Sequence, residues 1–585
     1  MRNLITKSGI SVDIKIAVGI LGNLKYKKVK NLKYFAFFLI LGFSYISTYS
    51  QTLPVGTSVL EEYYRRAQLL GKIDANTSFT VRPLFPIKAF QSSIFDPDSM
   101  LAFSRSNKSG GRLEFDKKRG AIQLLPLSFL NQLNDHHPVG INDGAMIPAK
   151  GYQTLMSTGI FFKYGPLSVQ LKPEFVYAEN KDFVGFPSNY TSTREIKFPA
   201  TPYLNIDFPE RFGDTIYTKA FWGQSSIRLT VGSFSIGLSN ENLWWGPGYR
   251  NSLLMTNSAP GFKHFTFNTV KPIKTFIGSF ETQIIAGQLE GSGYTPNLRE
   301  DWRYINAMVF TYQPKWIHGL FLGASRAFLI YNNDMGNGFG DYLPVFSFLT
   351  KASNGSEDEV NNQGQNQLIS VFMRWLFVEA KGEIYFEYGR EDHAWDLRDL
   401  TLEPSHSSAY IIGFRKLITL NAQKETHIQI ISELANFASP QTTINRNSQS
   451  SKPASNWYSH GGISYYNIGQ SLGAGIDPGS NLQTIDISWV KSLKQIGIQV
   501  ERYVHNNDFW YNWIKDIRSN WVDINTTAYV NWDYKHFHFN IKLSYIRSKN
   551  YQWLYEPEYV GTPEFWTSTE DTPSFHGQLG ITYRF

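Results

Sequence analysis

Two adjacent tryptophans, in the run Glu241-Asn242-Leu243-Trp244-Trp245-Gly246-Pro247-Gly248-Tyr249-Arg250, are the residues whose type and spacing most directly suggest chemistry. An indole presents a flat apolar face that packs on the C–H face of a sugar ring. The flanking Glu241, Asn242, Tyr249 and Arg250 supply acceptors and donors for hydroxyl groups. The run also has an architectural reading, because Gly-Pro-Gly forces a tight turn and the tryptophans could wedge a loop shut or join an interfacial girdle. A second aromatic group, Phe509, Trp510, Tyr511, Trp513 and Trp521, offers the same pair of readings.

Other reactive side chains do not assemble into a recognisable centre. His136 and His137 are adjacent, so in an extended chain they point apart, and no third ligand is spaced to join them; a turn or loop role is favoured. Asp341, Glu357, Asp358 and Glu359 could draw a cation, though such charge runs are ordinarily solvated. The absence of cysteine excludes disulfides, thiolate metal sites and cysteine nucleophiles. There is no GxSxG elbow, HExxH helix or phosphate-cradling glycine loop. A barrel can build a triad from separate strands, but no catalytic residue, metal ligand or cofactor is assigned.

The elements that must carry these residues are strands. Phe575, Gly577, Leu579, Ile581, Tyr583 and Phe585 alternate with His576, Gln578, Thr582 and Arg584, the period of a wall with lipid on one side and water on the other. Among sheets, only a closed barrel satisfies every backbone group in hydrocarbon. Upstream, the chain reads as hairpins: 152–164 with 167–178 across Gly165-Pro166, 222–231 with 234–240 across Gly232-Ser233, 368–378 with 383–389, 485–490 with 496–503, and 526–532 with 537–546. Pro173 cannot donate to a ladder and predicts a bulge. The connections predicted to lie outside are 131–151, 179–218, 241–261, 290–303, 332–366, 392–405, 435–481, 507–522 and 549–573, with polar tracts at 353–367 and 439–455. Short turns alternating with long loops predict an all-β transmembrane antiparallel barrel of about 18 strands; the weakest, 120–130 and 262–269, would leave about 16 if lost. Arg374, Glu383, Glu387, Arg415, Glu433 and Glu501 are expected to face inward and pair across the lumen, the competing reading being a water-filled pore.

Two segments precede the barrel. In residues 1–50 an apolar core at 34–46 follows Lys25, Lys27, Lys28, Lys30 and Lys33, and small residues lead to Ser50, which predicts a signal peptide cleaved there. The core is too short for the roughly 20 residues of a spanning helix. The segment holds eight Lys or Arg and one acid, equal to the formal +7 of the whole chain, so the remainder is near neutral and no nucleic-acid partner is implied. Residues 51–118 predict a periplasmic helical and irregular segment. In it Leu60, Tyr64, Ala67 and Leu70 recur at helical spacing, Ser58 and Glu61 suggest a capping box, Glu61/Arg65 and Glu62/Arg66 form i,i+4 pairs, and Gly71 ends the helix. That helix is expected at the barrel's periplasmic mouth or inside it. A second short helix is expected from Asp96 and Pro97 to Phe103. Residues 119–585 form the barrel.

The terminal Phe585, with Tyr583, resembles the recognition signal of outer-membrane barrels, which implies outer-membrane lipid and the barrel-assembly machinery as partners. The WWGPG run, continuing through Ser252-Leu253-Leu254-Met255 to Asn257-Ser258-Ala259-Pro260, carries a larger resemblance. Together with His136-His137-Pro138, Asn142-Asp143-Gly144, Gln170-Leu171-Lys172-Pro173-Glu174 and the helix leading into Arg82-Pro83, it resembles the Wzi-type capsule assembly proteins. The resemblance implies a barrel of about 18 strands with periplasmic helices, acting as a surface lectin for capsular or exopolysaccharide. A passive or substrate-selective porin is the alternative.

Overall fold

The computed structural model describes residues 52–73, 76–85, 112–117, 119–187, 203, 206–295, 299, 301–349, 365–391, 401–402, 404–405, 407–440, 457–460, 462–514, 516–559, 561 and 567–585. The expected signal peptide, the helix at 96–103, Glu357, Asp358 and Glu359, and most of the two polar tracts lie outside these residues.

Eighteen antiparallel strands close into a barrel. They are Gly120–Asn134, Gly151–Tyr164, Leu167–Leu171 continued by Glu174–Ala178, Tyr217–Phe221 continued by Ser226–Val231, Phe234–Ser239, His264–Thr269, Gly278–Leu289, Arg303–Pro314, Leu320–Tyr331, Gln365–Phe377, Gly382–Glu391, Ser408–Asn421, Thr426–Asn436, Asn481–Lys491, Lys494–Val504, Val522–Tyr534, Phe537–Lys549 and Thr572–Tyr583. Both strands that read weakest in the sequence are present. Closure comes from the last strand pairing with the first, in a register running from Tyr583 opposite Leu127 to His576 opposite Asn134. The sheet also reaches back to Arg112–Phe115, which pairs with the start of the first strand.

The wall is apolar outside and polar inside. Ile485 and Ile487 are 53% and 51% exposed, whereas Thr484, Asp486 and Ser488 beside them are buried. That is the reverse of a soluble sandwich and what hydrocarbon demands. Ring pairs such as Phe234 with Phe267, Phe280 with Tyr312, Trp375 with Phe377 and Phe537 with Tyr583 stand near the short turns as one aromatic girdle. Among the described residues no helix is long and apolar enough to cross a membrane.

Pro173 breaks its strand, but the distortion is not where its sequence implied. Against Gly151–Tyr164 the register continues unchanged from Ile160 opposite Leu171 to Ser157 opposite Glu174. The extra residue lies in the facing strand, between Phe221 (opposite Glu174) and Ser226 (opposite Gln170), where the Gln224 N–H donates to the Lys172 carbonyl. The neighbour therefore bends around the proline.

The N-terminal helix, Ser58–Leu69, lies inside the barrel. The expected capping box is absent: Thr57 occupies the N-cap position and makes no side-chain cap bond, while Glu61 pairs with Arg82 at 2.9 Å. The expected i,i+4 pairs give way to the wall in the same manner. Arg65 reaches Glu383 at 2.7 Å, Glu62 reaches Arg415 at 2.7 Å, and Arg66 donates to the Ser492 carbonyl at 3.0 Å. Buried tertiary partners outweigh exposed helical pairs worth only about 0.2–0.5 kcal/mol. Gly71, at φ +69°, ends the helix as expected. Beyond Leu69 the chain meets the short-turn end, where Leu69 packs with Leu376, Leu417 and Val490.

Candidate functional site

The WWGPG segment does not stand on the surface. Residues 240–263 fold back into the lumen, and Trp244–Trp245 forms a two-residue ladder with Val81–Arg82. Trp245 is fully buried and its indole N–H donates to Gln283 at 3.0 Å. Trp244 is 5% exposed, with the Arg82 guanidinium carbon 4.4 Å from its ring centroid. Their expected role as surface platforms is corrected: these are interior rings, held where the plug and the infolded loop meet.

The remaining residues of the run are spent on holding the loop. Glu241, fully buried, accepts from Arg228 at 2.7 Å and from Ser239 at 3.0 Å, and also from Thr52. Asn242 donates to the Ala259 carbonyl at 2.7 Å and accepts from Gln224 at 2.9 Å. Arg65 holds the Pro247 carbonyl at 2.7 Å. The backbone N–H groups of Tyr249 and Arg250 donate to Glu433 at 2.7 and 3.1 Å, and the Arg250 side chain grips Glu501 at 2.9 and 3.2 Å. Gly246, at φ +129°, admits no side chain, since a Cβ there would lie 2.4 Å from the Ser252 hydroxyl and 2.7 Å from Glu387.

The inward-facing strand charges are therefore satisfied in two ways. Glu383 gathers Arg374 at 2.5 Å, Arg65 at 2.7 Å and Arg415 at 3.4 Å. Glu387, Glu433 and Glu501 instead receive the infolded loop. Pairing among the strand charges covers only the first group; the plug completes the rest.

The second aromatic group lies at the opposite end, among the long loops. Phe509, Trp513, Trp521, Tyr551, Trp553 and Phe186 pack into one buried cluster, so Trp513 and Trp521 are architectural. Trp510 packs on its edge and Tyr511 is 53% exposed, their ring centroids 4.5 Å apart. Tyr511 is therefore exposed and Trp510 half-buried. His136 and His137 lie against Tyr551, at centroid distances of 5.4 and 5.0 Å, and burial pushes His137 down to about 4. Asp341 accepts from the Gly338 N–H at 2.7 Å, closing its own turn. Among the described residues no three His, Asp or Glu side chains are placed so that they could hold one metal ion.

Sequence reasoning missed one constellation. His505 sits between Asp477 (3.0 Å) and Asp523 (2.8 Å) and stacks on Trp521 with centroids 3.7 Å apart. Burial alone would lower its pKa, but the charge of Asp523 and the hydrogen bonds to both carboxylates raise it to about 9. The clasp joins two loops to the wall, and its members are too far apart in sequence for any local signal. A folded-state pKa above the ordinary value adds stability that is complete below about 6.5 and lost as pH rises through about 9. Protection of the described amides between 505 and 521, taken relative to base-catalysed intrinsic exchange, is expected to fall over that window, and His505→Gln to abolish the fall; the same fall in that variant would contradict the assignment.

With the barrel and its closure established, likeness to known proteins can be placed. Residues 152–425 match the family model of the capsule assembly protein Wzi. This stretch includes the WWGPG run and the Gln170–Glu174 motif on which the sequence resemblance to the Wzi type rested. Among solved structures the fold is similar to that of Wzi from Escherichia coli, described as an outer-membrane carbohydrate-binding β-barrel involved in group 1 capsule assembly. The likeness has a TM-score of 0.56 and 13% identity, over 92% of this chain and 100% of that one. OprD from Pseudomonas aeruginosa aligns at a TM-score of 0.35 and 10% identity, over 81% of this chain and 95% of that one. OccAB2 from Acinetobacter baumannii gives 0.37 and 9%, over 79% and 97%. No curated protein matches the sequence.

Proposed function

We propose that this chain is an outer-membrane surface lectin of the Wzi type that attaches or organises exported capsular or exopolysaccharide, and that it is not an enzyme. The observation that carries the reading is the filled lumen: a helix ion-paired to the wall and a loop folded back against it leave the long loops as the working surface. The likeness to Wzi, whose solved Escherichia coli structure is described as a carbohydrate-binding barrel, supports the ligand class. A porin would need those same residues to line an open path.

The contact surface proposed is the outward edge formed by Trp510 and Tyr511. Losing a well-used aromatic platform costs about 1–3 kcal/mol, or roughly five- to a hundredfold in affinity. The Trp510→Ala/Tyr511→Ala double variant is expected to reach the surface at normal levels yet release cell-associated polysaccharide into the medium. Wild-type retention would move the contact surface elsewhere.

In the same reading, residues 1–50 are removed on export, the short turns and both termini of the mature chain face the periplasm, and Tyr583 with Phe585 engages the barrel-assembly machinery before the wall meets lipid. A tag at Asn447 should then be cut by protease on intact cells and one at 492–495 only after permeabilisation, while Phe585→Ala should lower the heat-modifiable folded population. Reversed accessibility, or an unchanged folded yield, would overturn the respective point.

A further inference from the structure

Between the plug and one side of the wall lies a chamber of about 390 Å³. It reaches the short-turn end at Leu493 and Arg584 and stops against residues 142–145 and Arg250. Its volume falls in the range of small-molecule sites, roughly 300–1,000 Å³. The lining is unlike the rest of the lumen. Elsewhere Glu383, Glu387, Glu433 and Glu501 are each met by arginines or by donors of the infolded loop, whereas here the side chains of Lys172, Lys542, Gln499 and Gln578 line the space with no hydrogen bond or ion pair among the described residues. Lys542 and Gln578 stand directly opposite each other on adjoining strands.

The charge balance has a sign. Glu61 is engaged by Arg82, Glu62 by Arg415 and Arg250 by Glu501. That leaves Lys172, Lys542 and Arg584 without ion pairs, against the carboxylates of Asp143 and Glu174. Ionisable groups left unpaired inside a membrane barrel are expensive and are commonly kept for a ligand. Nine of the lining residues are asparagine or glutamine; seven are bonded within the protein, which leaves the amides of Gln499 and Gln578 to donate and accept as sugar hydroxyls require, and Tyr249, Tyr529 and Trp244 also line the space.

We propose that this chamber is a second saccharide site, distinct from the loops, which takes a short sugar carrying more than one carboxylate from the short-turn side, with Lys172 and Lys542 each meeting a separate acid and Gln499 and Gln578 the hydroxyls. The proposal rests on the lectin reading for its ligand class, but not on where the loops bind. The full mature chain in detergent micelles would be titrated calorimetrically with a galacturonate trisaccharide, the neutral galactose trisaccharide and inorganic phosphate. The acidic trisaccharide is expected to bind at least tenfold more tightly than either comparison. Lys172→Met/Lys542→Met should weaken it tenfold or more, and Leu402→Ala, on an exposed loop outside both proposed sites, should leave it unchanged. Because the chain has no cysteine, Gln499→Cys introduces a single thiol, which the acidic trisaccharide should protect from a maleimide in the otherwise wild-type barrel. Equal binding of the neutral sugar or of phosphate, undiminished binding by the lysine variant, loss in the loop variant, or an unprotected thiol would each overturn the chamber assignment. None of these outcomes bears on polysaccharide retention by the loop surface, which is read separately on cells.

Discussion

Replacing Glu383 with glutamine is expected to loosen the plug more than any other single change in the wall. The carboxylate is buried and gathers three guanidinium groups: Arg374 at 2.5 Å, Arg65 of the N-terminal helix at 2.7 Å and Arg415 at 3.4 Å. Glutamine keeps the shape and removes the charge, leaving the arginines to repel one another in a space with little water. Removing one partner from a buried ion pair costs about 3–5 kcal/mol, because the charge left behind is no longer compensated. Arg415 retains Glu62 at 2.7 Å, so the loss should fall mainly on Arg374 and Arg65, and through Arg65 on the helix. The measurement is the urea midpoint of the detergent-solubilised barrel together with cleavage of residues 52–73 by protease. A lower midpoint and a cleavable helix are expected. A wild-type midpoint with a protected helix would mean that other contacts hold the plug.

Trp245→Ala is the second large effect, and it separates architecture from binding. The side chain is fully buried beside the Val81–Arg82 ladder and hydrogen-bonded to Gln283, so truncation opens a cavity of indole size and strands the Gln283 carbonyl. Buried Trp-to-Ala changes cost about 3–5 kcal/mol. The folded, heat-modifiable population should fall, and polysaccharide retention should fall only in proportion to the barrel lost. Normal folding with released polysaccharide would instead make Trp245 a ligand contact and reopen the infolded loop as the site.

The wall could be read from local sequence because its rules are local. Period-two alternation, Gly165-Pro166 and Gly232-Ser233 as turn pairs, and the polar connections between hairpins need no knowledge of distant residues. The lumen could not, since its contacts join segments far apart in the chain. Arg65 meets the Pro247 carbonyl across 182 positions, and Arg374 meets Gln68 across 306. Nothing within Glu241–Arg250 distinguishes a tryptophan pair under Arg82 from one open to a sugar. The helix shows the same limit: its periodicity and its stop at Gly71 were legible, but the partners of Glu61 and Glu62 were set by the wall. At the loop end, composition flagged Trp510, Tyr511 and Trp513 together, and only the packing of Phe186, Tyr551 and Trp553 around Trp513 separates the exposed Tyr511 and half-buried Trp510 from the buried ring.

The central claim is that the helix and the infolded loop close the barrel, so that it holds polysaccharide at its surface and offers no open path through its lumen. Planar-bilayer recording of the purified full mature chain tests it most directly. The account predicts a silent membrane at all moderate voltages; a stable, long-lived conductance in the wild-type protein would contradict it and favour a porin.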